Sequence, residues 1–245
     1  KEGSNGEVMA IGSLGDMAQV FFAAREQGWV VDGKFIIDPQ IDALFEMAKK
    51  LEQEKLTSQA EQWTESWFAG MSSDSVFGYF LPTWGLHYVL KTNAENAETK
   101  VSTSGDWGMI QGPAGYFWGG TFLAVRNNTE MSKGAKELVE YLTLNEAFLE
   151  KWAKETGDFL AHKDVVARIQ GEYSEPFLKG QNHYQAFAEM ATTIDASILT
   201  GYDQEIQRLM NEQLTAYSKG EKDKATAMQD FKNAVLNAYP DLIVE

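Results

Sequence analysis

Apolar positions along the chain recur mostly at helical spacing. Asp38-Pro39 marks a helix start, with Asp as N-cap and Pro in the first turn, and Ile41, Leu44, Phe45, Ala48 and Leu51 follow on one face. A shorter helix is predicted over Ser58–Phe68, ending at Gly70. Ser132 is placed as N-cap of a helix carrying Ala135, Leu138, Val139 and Leu142, and the next helix runs from about Asn145 to Glu155, ending at Thr156-Gly157. Ile206, Leu209, Met210, Leu214 and Tyr217 form one late stripe and Met228, Phe231, Val235 and Tyr239 another; Gly220 between them predicts a helical hairpin. Three short apolar runs read as strands: Val76–Leu81, stopped by Pro82, Trp107–Gln111 and Thr121–Arg126. Thr83 is a candidate cap for a helix through Leu90, and the polar stretch Lys91–Gly105 reads as a surface loop. Short strands followed by helices predict an α/β layered fold with a helix-rich tail.

The 245 residues suffice for one large domain or two small ones, and 44% hydrophobic content is enough for a core. No apolar run approaches membrane-spanning length. The opening Lys1–Gly6 is polar, with no apolar signal-peptide core. A net charge of -15 opposes phosphate backbones and anionic lipid, so nucleic acid is not an expected partner. The absence of cysteine removes disulfides, thiolate nucleophiles and thiolate metal sites.

The chain has no glycine-rich phosphate loop, no zinc-hydrolase helix, no nucleophile elbow and no EF-hand loop, and His87, His162 and His183 share no metal-ligand spacing. Neither a metal nor a cofactor is expected. Glu61 and Glu65 lie on one helix face, the arrangement of solvated surface charge rather than of two carboxylates flanking a substrate. The informative excess is aromatic: seven tryptophans (Trp29, Trp63, Trp67, Trp84, Trp107, Trp118, Trp152) and nine tyrosines. Any of them can fill a core. Several together also suit a cleft for ligands with apolar CH faces and polar rims, as pyranose sugars have. Gly112–Gly120, with glycines on both sides of Tyr116, Phe117 and Trp118, is the best hinge candidate.

The order of several motifs resembles the extracellular solute-binding proteins of type 1, the sugar-binding components of ABC importers. Gly105-Asp106-Trp107-Gly108-Met109 is followed by Gly112-Pro113, then Gly119-Gly120-Thr121-Phe122-Leu123-Ala124-Val125, the helix Lys133–Leu142, and Glu155-Thr156-Gly157-Asp158-Phe159-Leu160-Ala161. Upstream, Trp67–Met71, Phe77–Phe80 and Pro82-Thr83-Trp84 fit the same pattern, as does the final Asn237-Ala238-Tyr239-Pro240-Asp241. The resemblance implies a type II periplasmic-binding-protein fold of two α/β lobes. By it, residues 8–120 and 175–245 form the C-terminal lobe, and 121–173 belongs to an N-terminal lobe whose opening part has no counterpart in the chain. That would leave the apolar face of Leu138, Val139 and Leu142 in need of cover, from the second lobe or from self-association with another copy.

The resemblance also implies function: extracytoplasmic binding of a carbohydrate in an aromatic-lined interlobe cleft, and delivery to ABC transporter permease subunits, without catalysis. The protein would be a cell-surface lipoprotein of a Gram-positive bacterium or periplasmic. Trp84 is the leading sugar-stacking residue, at a point where the family carries such an aromatic, and Tyr202 occupies a second such point. Tyr116, Phe117 and Trp118 fall in the crossing region. Asp16, before the helix from Met17, is placed as helix cap, sugar ligand or both; Trp63 and Asp158 complete the candidate set. Three alternatives stay open: a binder of cationic or peptide ligands, a glycoside-processing enzyme, and a lobe that only contacts the permease.

Overall fold

The computed structural model describes residues 7–127 and 132–244. Contacts divide the chain into two compact units, one of Lys1–Phe80, Gly112–Phe117 and Thr193–Glu245, the other of Leu81–Gln111 and Trp118–Thr192.

In the first unit, α1 (Leu14–Ala23), β1 (Val30–Val31), β2 (Lys34–Phe35), α2 (Gln40–Gln53) and α3 (Glu65–Ala69) come first. Asp38 caps α2 as expected: its Oδ1 accepts from Gln40 N at 2.9 Å while Oδ2 ties down Glu26 N at 2.7 Å. The unit closes with α9 (Asp203–Ser218), α10 (Lys224–Ala238) and β5 (Ile243–Val244). Gly220 turns the α9–α10 hairpin at φ +79°, a left-handed value that favours glycine. The predicted apolar stripes meet in one core, where Trp29, Phe35, Phe45, Ile206, Met210 and Phe231 are buried together. β2 lies between β1, antiparallel to it, and β5, parallel to it. Two isolated parallel bridges, Met9 with Val76 and Ile11 with Thr57, also lie in this unit.

The second unit runs through a π-helical turn (Leu86–Leu90), α4 (Lys91–Asn93), a hairpin of β3 (Glu95–Asn96) and β4 (Val101–Ser102), α5 (Ser132–Leu144), α6 (Glu146–Thr156), α7 (Lys163–Ile169) and α8 (His183–Ala191). α6 begins and ends as the sequence indicates: Asn145 accepts from Phe148 N, and Gly157 terminates the helix at φ +78°. Its core gathers Leu149, Ala153, Val165, Val166, Ile169 and Tyr184. α5 buries no residue, and Leu138, Tyr141 and Leu144 are exposed.

Several expectations are corrected. None of the three predicted strands forms; Phe77 is 80% and Phe122 84% exposed. An apolar run signals burial, but a strand also needs a neighbouring backbone to take its N–H and C=O groups. At Met109 a side chain takes that place: the Gln181 amide both accepts from Met109 N (2.6 Å) and donates to Met109 O (3.1 Å). The Lys91–Gly105 loop holds the β3–β4 hairpin, turned by Asn96 Oδ1 accepting from Glu98 N and Thr99 N, both at 3.0 Å. The Ser58–Phe68 helix shrinks to α3, because Trp63 sits at φ +67°, which no right-handed helix passes through; Thr64 becomes the cap. Thr83 caps no α-helix, since the π-helical turn follows Gly85. Ser132 is the first helical residue, and the position before it lies outside the described residues. Within the second unit, residues 81–111 and 174–192 pack with 118–173. The Met109–Gln181 clasp, the Lys91–Glu175 ion pair (3.1 Å) and Gln111 Nε2 donating to Glu189 Oε2 (2.5 Å) hold these segments together.

Candidate functional site

In the first unit, the N-terminus of α1 and the turn before α3 converge on Asp16. The cap of α1 is Ser13, whose Oγ accepts from Gly15 N at 3.2 Å; the capping role expected for Asp16 belongs to it. Asp16, one turn in, is wholly buried. Its Oδ1 accepts from Gln62 Nε2 at 2.8 Å and its Oδ2 from Trp67 Nε1 at 3.0 Å. Burial pushes the carboxyl from 3.8 up to about 7, against the lowering effect of the Trp67 and Gln62 hydrogen bonds.

Asp16 thus fixes the edge of the Trp67 ring, and the ring carries a platform. Trp63 packs on Trp67 at 5.1 Å between centroids, tilted by 52°, and is itself 44% exposed. Phe68 meets both indoles edge-on, at 6.4 and 5.2 Å. Tyr79 crosses Trp67 at 5.4 Å and 87°, its hydroxyl donating to Trp67 O at 3.1 Å, and burial raises this phenol above its ordinary range. Gly12 lets Tyr79 lie flat against the backbone, where a Cβ would overlap the ring. The result is an exposed indole face backed by a polar, buried clamp. It can stack an apolar ring face and offers an amide at its edge. Glu61 and Glu65 are both exposed.

Asp16 and Trp63 are therefore brought into one cluster. Trp67 and Gln62, which join them through Asp16, are residues that sequence reasoning did not select; Trp67 stood within the resembling motif, while Gln62 carries no local signal. Tyr202 precedes α9 and packs edge-on against Tyr239 at 4.9 Å. Phe117 lines a crevice of about 10 Å3 with Phe22 and Ile198, room for a water rather than a sugar. Tyr116 is half-buried.

In the second unit, Trp84 and Trp118 meet: the Trp84 indole N–H donates to Trp118 O at 3.3 Å, and Gly119, at φ +66°, lies along the indole. Asp158 joins two exposed rings, its Oδ2 accepting from Tyr88 Oη (2.7 Å) and Trp152 Nε1 (2.9 Å). Among the described residues no group of three His, Cys, Asp or Glu side chains could hold a metal, and no helix is long and apolar enough to cross a membrane.

No family model and no curated protein matches the sequence. Solved structures do match. An extracellular solute-binding protein of family 1 superposes with a TM-score of 0.75 at 16% identity, over 95% of this chain and 59% of that one. A protein assigned as an oligosaccharide periplasmic-binding protein, from Synechococcus sp. MITs9220 and solved in complex with zinc, superposes with a TM-score of 0.65 at 16% identity, over 94% of this chain and 60% of that one. The chain thus spans about 60% of the length of these structures. With its helices packed on short strands in this arrangement, the chain has the α/β fold of the periplasmic-type solute-binding proteins.

Proposed function

We propose that the chain binds a carbohydrate outside the cytoplasm, for uptake through an ABC importer, and performs no chemistry on it. The observation that carries this reading is the Asp16 clamp: a buried carboxylate that spends both oxygens on fixing Gln62 and Trp67 beneath an exposed Trp63. A pyranose stacked on Trp63 would bury its CH face, with its hydroxyls toward Gln62. Because Asp16 is wholly buried with both oxygens hydrogen-bonded, it is not open to an amine, which needs carboxylates facing the rings. Likeness of fold to an oligosaccharide-assigned protein supports the same ligand class. Permease subunits as partners, and anchoring at the cell surface or residence in a periplasm, follow from this reading.

A thermal-shift screen of mono- and oligosaccharides, with putrescine as the amine control, tests it. A ligand at 100 times its Kd stabilises the native state by about 2.7 kcal/mol. One sugar class should raise the Tm, with no new products after long incubation. Stabilisation by putrescine alone would sink the carbohydrate reading.

A further inference from the structure

The second unit contains a cavity of about 550 Å3 that the Asp16 cluster does not use, lined among others by Lys91, Lys154, Tyr173, Glu175, Phe177 and His183. Its volume is in the range of small-molecule sites. The cationic groups on its wall are already matched: Lys91 Nζ lies 3.1 Å from Glu175, and Lys154 Nζ lies 2.9 Å from Glu150 and 3.0 Å from Glu172. Glu95 and Glu155, also on its wall, are exposed to solvent; the uncommitted groups that are buried are neutral. His183 is almost completely buried, and its Nε2 lies 3.1 Å from Gly157 O. That contact requires Nε2 to carry the proton, which leaves Nδ1 an acceptor, and Nδ1 is buried with no hydrogen-bond partner among the described residues. The Tyr173 hydroxyl is buried and equally unmatched.

The two rings are neighbours, 5.4 Å apart at 73°, and Tyr173 is held by flat stacking on Tyr184 at 4.3 Å. Buried polar atoms are normally paired, so two orphans on adjacent rings in the wall of one cavity, both covered from solvent in this structure, mark a place for a polar guest that parts the rings to reach them. An acceptor beside a phenol matches a hydroxyl, which donates to one and accepts from the other. An anionic guest would have to break one of the existing ion pairs. We propose that this cavity is a second binding site, for a neutral polyhydroxylated small molecule such as a monosaccharide or cyclic polyol, one hydroxyl of which bridges His183 Nδ1 and Tyr173 Oη. Burial keeps both groups in the required form, lowering the His183 imidazole and raising the Tyr173 phenol to about 12.

The test is a titration of the chain, labelled with 15N-histidine, with glucose and with myo-inositol, using putrescine and acetate as charged controls. A neutral polyol should shift the His183 ring nitrogens saturably, and neither charged probe should. Tyr173→Phe should weaken that binding about tenfold, one lost hydrogen bond, without lowering the Tm, since its hydroxyl leaves no partner behind. Trp63→Ala should leave the titration unchanged, which separates this site from the Asp16 cluster. Absence of a saturable shift with either polyol would mean that water alone satisfies the two groups. Binding of a charged probe, a shift abolished by Trp63→Ala but not by Tyr173→Phe, or a fall in Tm in Tyr173→Phe would each overturn the proposal.

Discussion

Trp67 donates its indole N–H to Asp16 across 3.0 Å, linking residues 51 positions apart that are both withdrawn from solvent. The bond sets the ring plane on which Trp63 rests, so Asp16 positions the aromatic platform; under the proposed function, contact with ligand falls to Trp63 and Gln62. It also leaves a carboxyl buried without a cationic partner, and that has a measurable consequence.

Asp16 is raised from 3.8 to about 7, so between these values the folded state holds a proton that the unfolded chain has released. Its contribution to stability is therefore fully present below pH 3.8 and lost as pH rises through 7. The shift corresponds to an effect on the order of 4 kcal/mol. Asp16→Asn cannot ionise. Urea unfolding of both proteins at pH 5 and pH 8 should show the wild type losing stability relative to Asp16→Asn at the higher pH. A difference that does not change with pH would show that the carboxyl is not desolvated.

Trp63 is a large exposed residue held at φ +67°. A left-handed backbone costs a non-glycine residue about 1–2 kcal/mol, and strain of this kind gathers at functional positions. Trp63→Gly relieves the backbone and loses ring packing on Trp67, so its stability should stay within about 1 kcal/mol of wild type. Its affinity for the sugar found by the screen should fall at least about tenfold, the loss expected of a stacking contact. Melting curves and calorimetry together check both halves. A large loss of Tm would make Trp63 a structural residue.

Where helices were legible, their signals are local. Asp38, Asn145 and Gly157 each announce a boundary in their own side chain or lack of one, and the late stripes of Ile206–Tyr217 and Met228–Tyr239 pack as their spacing requires. Strands were not, because pairing depends on a partner elsewhere in the chain. Val76 has a single bridge to Met9, and Met109 is satisfied by the side chain of Gln181. Among the site residues, Asp16 and Trp63 were named from sequence, but what joins them is Trp67, and its orientation depends on contacts from Tyr79 and Asp16 that no periodicity encodes.

Glycine substitutions separate close approach from loose backbone. A methyl group at Gly12 would enter the Tyr79 ring, so Gly12→Ala should cost about 1–3 kcal/mol and disturb the platform above it. Gly134, in the first turns of α5, has open space where its Cβ would be, so Gly134→Ala should stabilise by about 0.5–1 kcal/mol. Denaturant midpoints of the two variants should move in opposite directions. Movement in the same direction would refute the close packing of Tyr79 on Gly12.

The histidine pair of the second unit predicts a pH dependence of opposite sign to that of Asp16. His87 and His183 lie 5.2 Å apart, and both imidazoles are lowered from 6.5, chiefly by burial, with His87 lowered further by His183 and Lys91. Glu175 and Asp158 pull His87 the other way, as Glu175 and the Gly157 carbonyl do His183, but do not outweigh burial. The unfolded chain therefore takes up protons that the folded one refuses. Stability is full above pH 6.5 and falls as pH drops through the lowered values. His87→Phe removes one of the two groups and the repulsion it would exert on the other when both are charged. Unfolding free energies at pH 7.5 and pH 5.5 should show wild type losing more stability on acidification than His87→Phe. Equal losses would mean that the pair is hydrated in solution and titrates as ordinary histidine.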